Sequence, residues 1–329
     1  MKLPLSIAIG NYDRVRPLMD GAVRIDGVEP VFMPLEPEEI FFRAFRGTQF
    51  DVCELSLSSF AVKTARGDNP YVGIPVFPSR MFRHSAFYVR KGSGIRTPED
   101  LKGRRIGLPE YQLTACVWCR LILEQDHGVK PHEIHWVRGG IEHPGRIEKI
   151  RLDLPGNVVI EDIPPHRTLS EMLDKADIDG VLGPRAPLGF ERGDGSVGWL
   201  FPDPQAAAKD YYRRQGIFPI MHVLGVRREL AEQHPWLPSA LLKAFTTAKD
   251  LAVAALSFTP ALQVSLPFSI EAAREARELI GEDFWSYGLQ PNRHVLDTFL
   301  HHHHAQGLSA RRLTPEELFH PTTLETFRI

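Results

Sequence analysis

The chain has 329 residues, with 39 lysines and arginines against 41 aspartates and glutamates and a formal net charge of −2. At roughly 100–200 residues per domain that length suits two domains, and the near balance of charge excludes nucleic acid or an anionic membrane surface as the main partner. No run of about 20 apolar residues is present to span a bilayer, and 3 cysteines do not make a disulfide framework.

Leu5, Ile7 and Ile9 alternate with Ser6 and Ala8, which predicts a first strand over 3–10. A strand this close to Met1 leaves no room for a secretory signal, so a reduced, cytoplasmic protein is expected. Further strands are expected at 28–33, 51–57, 72–77, 85–90, 105–108, 134–137, 158–163, 179–183 and 222–226, with helices at 37–47, 58–66, 113–127 and 168–176. Strands alternating with helices predict α/β sheets with many parallel neighbours. The last third is helical. Over 235–257, Leu237, Leu241, Phe245, Ala248, Leu251, Ala252 and Ala255 share one helical face, and helices follow at 269–281 and 291–305. Thr314-Pro-Glu-Glu317 fits a capping box. This helical third offers surface for a homo-oligomer.

One junction stands out. Lys91-Gly-Ser-Gly94 is a flexible break, Thr97-Pro-Glu-Asp100 caps a short helix, and Arg105-Ile-Gly-Leu108 resumes a strand. Phe218-Pro-Ile-Met-His222 makes the return. Two crossings give a discontinuous first lobe, 1–92 plus 224–329, and an inserted second lobe, 93–223. A ligand is then expected in an interlobe cleft, outside the carboxyl ends of the strands.

Cofactor signatures are missing. No G-x-G-x-x-G follows a strand, and there is no Walker loop, H-E-x-x-H or G-x-S-x-G. Cys116-Val-Trp-Cys119 is a CxxC, but it lies inside an apolar helical run, where core packing outweighs redox work. His301 to His304 form a run of histidines on an expected helix. The run lacks carboxylate or cysteine partners, so it reads as an exposed polar face and no metal site is assigned.

Unusual polar residues instead fall just after strands. Asp13 and Arg14 follow the first strand, and Glu54, Ser56 and Ser58 lie in the stretch that ends the third and leads into a helix. Arg80, Arg83 and His84 lie in a cationic loop, Glu110, Gln112 and Thr114 join a strand to a helix, Arg185 follows Gly183-Pro, and His222 marks the return crossing. Arginines give bidentate contacts to carboxylates. Ser56, Ser58, Gln112 and Thr114 stand near helix starts, whose free N–H groups favour an anion. The set describes a site for a small dianion. Asp13, Glu54, Glu110, His84 and His222 add titratable groups that anion capture alone does not require. Each has a bland alternative: a lone arginine as solvated charge, Glu54 as a helix cap, and His84 or His222 as a hydrogen-bonded structural histidine.

Taken together, GNYD at 10–13, ELSLSS at 54–59, PVFPSRMFRHS at 75–85, GLPEYQLTA at 107–115, GPRAP at 183–187, FPIMH at 218–222 and QGLSARRLTPEELF at 306–319 resemble the 4,5-dihydroxyphthalate decarboxylase family nearly end to end. TPEDLKG at 97–103 is similar to segments of type II periplasmic binding proteins. The resemblance implies an α/β fold of that two-lobe type. It also implies non-oxidative decarboxylation of an aromatic dicarboxylate, 4,5-dihydroxyphthalate, to 3,4-dihydroxybenzoate in phthalate degradation, with no organic cofactor. In such a reaction Arg83 and Arg185, from different lobes of the map above, would clamp the retained carboxylate, with Arg80 and Arg14 in reserve. His222 would protonate the ring, and His84 or Glu110 would stand at the hydroxyls with Asp13 behind. The alternatives are a decarboxylase of another hydroxylated aromatic acid, metal-assisted decarboxylation, and a cytoplasmic binding protein for a small carboxylate.

Overall fold

The structure, a computed structural model, describes residues 2–325. Its strands are β1 (Leu3–Ile9), β2 (Val28–Pro34), β3 (Val52–Ser56), β4 (Tyr71–Arg80), β5 (Phe87–Arg90), β6 (Arg105–Leu108), β7 (His135–Arg138), β8 (Ile160–Asp162), β9 (Gly180–Leu182), β10 (Val197–Trp199) and β11 (Ile220–Arg227). Its α-helices are α1 (Arg16–Met19), α2 (Pro37–Gly47), α3 (Leu57–Arg66), α4 (Thr114–His127), α5 (Leu169–Asp174), α6 (Leu188–Glu191), α7 (Pro204–Gln215), α8 (Arg228–Gln233), α9 (Leu237–Ala255), α10 (Ser269–Ile280) and α11 (Arg293–Ala305). Each strand and helix expected from the sequence is present, β6 and α2 with the expected bounds and the others with shifted ends, while β10, α1, α6, α7 and α8 are additional. In α7 only Ala208 and Tyr211 are buried, so no apolar stripe announces the helix. Among the described residues no helix is long and apolar enough to cross a membrane.

The chain forms two compact units. One comprises the chain up to Arg80, Gln215–Asp297 and the chain from Leu313 onward; the other comprises Met81–Arg214 and Thr298–Arg312. These limits differ from the sequence-based ones of 92 and 223. β5 already pairs antiparallel with β9 and β10, and β11 pairs with β3 and β4, so each strand takes its crossing segment into its own sheet. Arg83 therefore shares a unit with Arg185, rather than facing it from another lobe. The stretch 298–312 joins the second unit because Phe299 packs on Trp118, with ring centroids 5.2 Å apart, and Arg120 Nε donates to Gln306 Oε1 at 2.9 Å.

In the first unit the sheet order is β2-β1-β3-β11-β4. β1 runs parallel to β2 and β3, while β11 runs antiparallel to β3 and β4. Edge position lets β4 carry Pro75 and Pro78 without breaking an interior ladder. Its register against β11 shifts on both sides of His222, and irregularities of this kind re-aim a side chain. α9 buries Leu237, Leu241, Phe245 and Ala248, but Leu251 is 50% exposed, so its apolar face runs on past the core. In the second unit the order is β10-β5-β9-β6-β7-β8, with Tyr88, Val137, Leu169, Leu173 and Val181 in one core cluster. The capping boxes expected at Thr97 and Thr314 are both formed, each on a 3-10 turn.

Candidate active site

Strand register explains the central contact of the first unit. His222 lies opposite Ser56, and Leu224 opposite Glu54, in the antiparallel β3–β11 pair. Alternate residues share a face, so Glu54 and His222 are diagonal neighbours on one side of the sheet. Parallel pairing of Ala8 with Cys53 brings the chain leaving β1 alongside Glu54. The carboxylate of Glu54 is fully buried. Its Oε2 accepts from the Gly10 N–H at 2.9 Å, and its Oε1 accepts from the Tyr12 hydroxyl at 2.8 Å and meets His222 Nδ1 at 2.5 Å. Phe41 of α2 packs edge-on against the His222 ring, centroid to centroid 4.9 Å.

Burial alone would raise the Glu54 carboxyl. The charge and hydrogen bond of His222, the Gly10 N–H and the Tyr12 hydroxyl outweigh it and hold the group below its ordinary value. Burial and the nearby Glu54 charge push the Tyr12 phenol up, so it stays protonated and donates. An ionised carboxylate on Nδ1 fixes the imidazole tautomer and leaves Nε2 for other chemistry. The His222 side chain is 17% exposed, so this pair spans the protein interior and an accessible edge.

The other expected residues of the first unit are placed as follows. Ser56 precedes the first turn of α3 and Ser58 lies inside it, both buried. Asp13 is exposed and pairs with Arg14 at 3.0 Å. Arg14 lies between the rings of Tyr12 and Trp285, 4.3 and 4.2 Å from their centroids, and its Nε donates to the Pro78 carbonyl at 2.7 Å. Arg80 is buried, donating to the carbonyls of Phe218 at 3.2 Å and Ser286 at 2.7 Å and to Asn292 Oδ1. Those bonds fasten the end of β4 to the helical region.

In the second unit Glu110 is fully buried between Arg146 and Lys149, each at 2.6 Å. The neighbouring Glu148 accepts from the N–H groups of Tyr111 at 3.1 Å and Gln112 at 2.8 Å, so an internal carboxylate already occupies the turn ahead of α4. Burial raises the Glu148 carboxyl, and the Glu110 charge adds to it. The Gln112 side chain donates to the Ile150 carbonyl at 3.2 Å, and Thr114 opens α4, buried. Arg83 is buried, which lowers its guanidinium from the ordinary value. His84 is buried against Phe201 and Tyr211, and burial depresses it to about 4. It is neutral at neutral pH. Arg185 is exposed beyond β9, and none of the described residues pairs with it.

The decoys resolve simply. Cys116 and Cys119 are free, buried thiols on α4, raised by burial, Cys116 to about 12. The histidine run is not one exposed face. His303 is fully buried, His302 meets Glu124 at 3.3 Å, and His304 meets the Ser309 carbonyl at 2.8 Å. No group of three or more metal-ligating side chains exists among the described residues. Sequence reasoning missed Tyr12, Trp285 and Phe41; the signal for Tyr12 was its place two residues after Gly10 at a strand end.

Three comparisons bear on this arrangement. Residues 81–150 match the family model described as NMT1/THI5 like. Over 328 residues, 100% of this chain and 99% of the relative, the sequence is 61% identical to a 4,5-dihydroxyphthalate decarboxylase of Comamonas testosteroni. It is 59% identical over 212 residues, 64% of this chain and 82% of the relative, to one of Pseudomonas putida. Among solved structures, the periplasmic aliphatic sulphonate binding protein SsuA from Escherichia coli aligns with a TM-score of 0.56 at 13% identity, covering 98% of this chain and 99% of that one. The likeness to SsuA gives the fold, the α/β periplasmic-binding-protein fold, and nothing about the ligand. The sequence identities go further: the chain belongs to the 4,5-dihydroxyphthalate decarboxylase family of carboxy-lyases.

Proposed function

We propose that this chain converts 4,5-dihydroxyphthalate to 3,4-dihydroxybenzoate and CO2. The names of its relatives support the substrate. The observation that carries the chemistry is the buried Glu54 carboxylate, 2.5 Å from Nδ1 of the partly exposed His222. Each carboxylated ring carbon of this substrate is para to a hydroxyl, which pushes electron density onto it. With that hydroxyl ionised, His222 Nε2 donates a proton to the carbon and the ring becomes a dienone, the oxyanion turning into its carbonyl. The bond to the carboxylate then breaks, its electron pair restores the aromatic ring, and CO2 leaves. One proton is consumed and one C–C bond is exchanged for C–H, so the ring is its own electron sink.

The test is incubation with 4,5-dihydroxyphthalate in D2O. The expected result is CO2 together with 3,4-dihydroxybenzoate carrying one deuterium at the vacated carbon. Binding without CO2 release would leave a binding protein and sink the reading. His222→Ala should lower turnover by about 10²–10⁴-fold, the usual worth of a general acid, and near-normal turnover would remove His222 from the donor role.

A further inference from the structure

We infer that Tyr12 is a positioning residue for the Glu54–His222 pair, and that position 10 is glycine to make room for it. The inference rests on the proposed role of His222 as proton donor. A carboxylate at the end of a glutamate rotates easily, because its last torsion is broad and roughly two-fold. Here three donors fix its plane. Tyr12 and His222 share Oε1, and the Gly10 N–H holds Oε2.

Tyr12 is held in turn. Its ring lies against the Arg14 guanidinium, which also stands over the Trp285 ring. Arg14 is tied to the Pro78 carbonyl, and Trp285 Nε1 donates to the Phe77 carbonyl at 3.1 Å, so the whole stack is anchored on β4. A Cβ added at Gly10 would stand 2.6 Å from Tyr12 Cζ, 2.7 Å from Cε2 and 2.8 Å from the hydroxyl oxygen. Gly10 is not among the residues with positive φ, so close approach, not backbone conformation, demands glycine there. Other charged or titratable groups coupled to Tyr12 or Glu54 include Arg14 after β1, Glu36 ahead of α2, Cys53 on β3, and Tyr287. Tyr12→Phe changes none of them.

Tyr12→Phe and Gly10→Ala are the two tests, the first deleting the hydroxyl and the second displacing it. In each, kcat should fall by roughly 10–100-fold, as a misplaced reacting group does, with KM within about twofold. Loss of one donor concentrates negative charge on Oε1 opposite the imidazole, so the pH at half-maximal kcat/KM should move up by about half a unit. The substrate-free readout is 15N-histidine NMR, in which the His222 nitrogen signals should shift in both variants. If those signals stay in place in both, the positioning role is overturned whatever the kinetics do. If they shift while kcat and the pH profile do not, Tyr12 still positions the pair and the donor role of His222 is what fails.

Discussion

Each unit buries a glutamate beside the end of a strand, and the two neutralise it in opposite ways. Glu54 meets a backbone N–H, a phenol and an imidazole. Glu110 meets a guanidinium and an ammonium. A guanidinium keeps its proton at every working pH, whereas an imidazole gains and loses one near neutrality. The same side chain is therefore a fastener in the second unit and, in the function proposed above, half of an acid–base pair in the first. Burial is equal in the two cases, so the partner, not the environment, decides which role a buried carboxylate takes.

Replacing each acid by its amide tests that contrast most strongly. Glu54→Gln keeps the shape: its amide oxygen accepts from the Gly10 N–H, which puts the amide nitrogen in the place of Oε1, where the Tyr12 hydroxyl turns to accept from it. The new amide N–H donates to His222 Nδ1 and forces the wrong tautomer, so turnover should fall by about 10²–10⁴-fold, with stability within about 1 kcal/mol of the parent. Glu110→Gln instead takes the carboxylate from between two cations, and urea unfolding should report a loss of roughly 3–5 kcal/mol. Equal stability losses for the two exchanges would erase the distinction.

His84 sharpens it from the other side, as an imidazole that no carboxylate among the described residues hydrogen-bonds, with only the Asp126 charge acting against its burial. Its folded value of about 4 lies below the ordinary 6.5, with burial as the main cause. Between those values the unfolded chain binds the extra proton and the folded chain does not. The stabilisation is therefore full above pH 6.5, falls as pH drops, and reaches its floor below 4. The loss is roughly 3 kcal/mol over that window. Urea midpoints from pH 7 to 4 should show that slope, and His84→Phe, in a nest already built from Phe201 and Tyr211, should flatten it. An unchanged slope would mean another group carries the acid sensitivity.

Local pattern made the strands legible, since period-2 alternation reports which face is buried. It also made Glu54 and His222 visible as polar residues at strand ends. Their pairing was not visible. They are 168 residues apart, and only the antiparallel register of β3 with β11 brings them together. Arg80 shows the reverse. Its neighbours suggested a ligand-facing loop, but its acceptors include Ser286 and Asn292, 206 and 212 residues away. Arg83 likewise moved to the other unit because β5 chose its sheet partners non-locally. The histidine run lost its uniform exposure for the same reason, since α11 packs His303 inward.

The smallest expected effect concerns the thiols, and it separates a titratable group from a reactive one. Cys53 sits beside Glu54 on β3, while Cys116 and Cys119 lie on α4 of the second unit; all three are buried and free. Burial raises each thiol, and for Cys53 the neighbouring Glu54 charge adds to it. A thiolate is the nucleophile, so none should react in the native protein. Ellman's reagent should label almost nothing at neutral pH, and three thiols should appear together when urea unfolds the chain. Rapid labelling of Cys116 or Cys119 in native protein would show that α4 opens locally and that its charged turn is no fastener. Rapid labelling of Cys53 alone would place the opening at β3. The Glu54–His222 pair would then owe its short contact to a strand that does not hold still, which the fixed carboxylate required for proton donation does not allow.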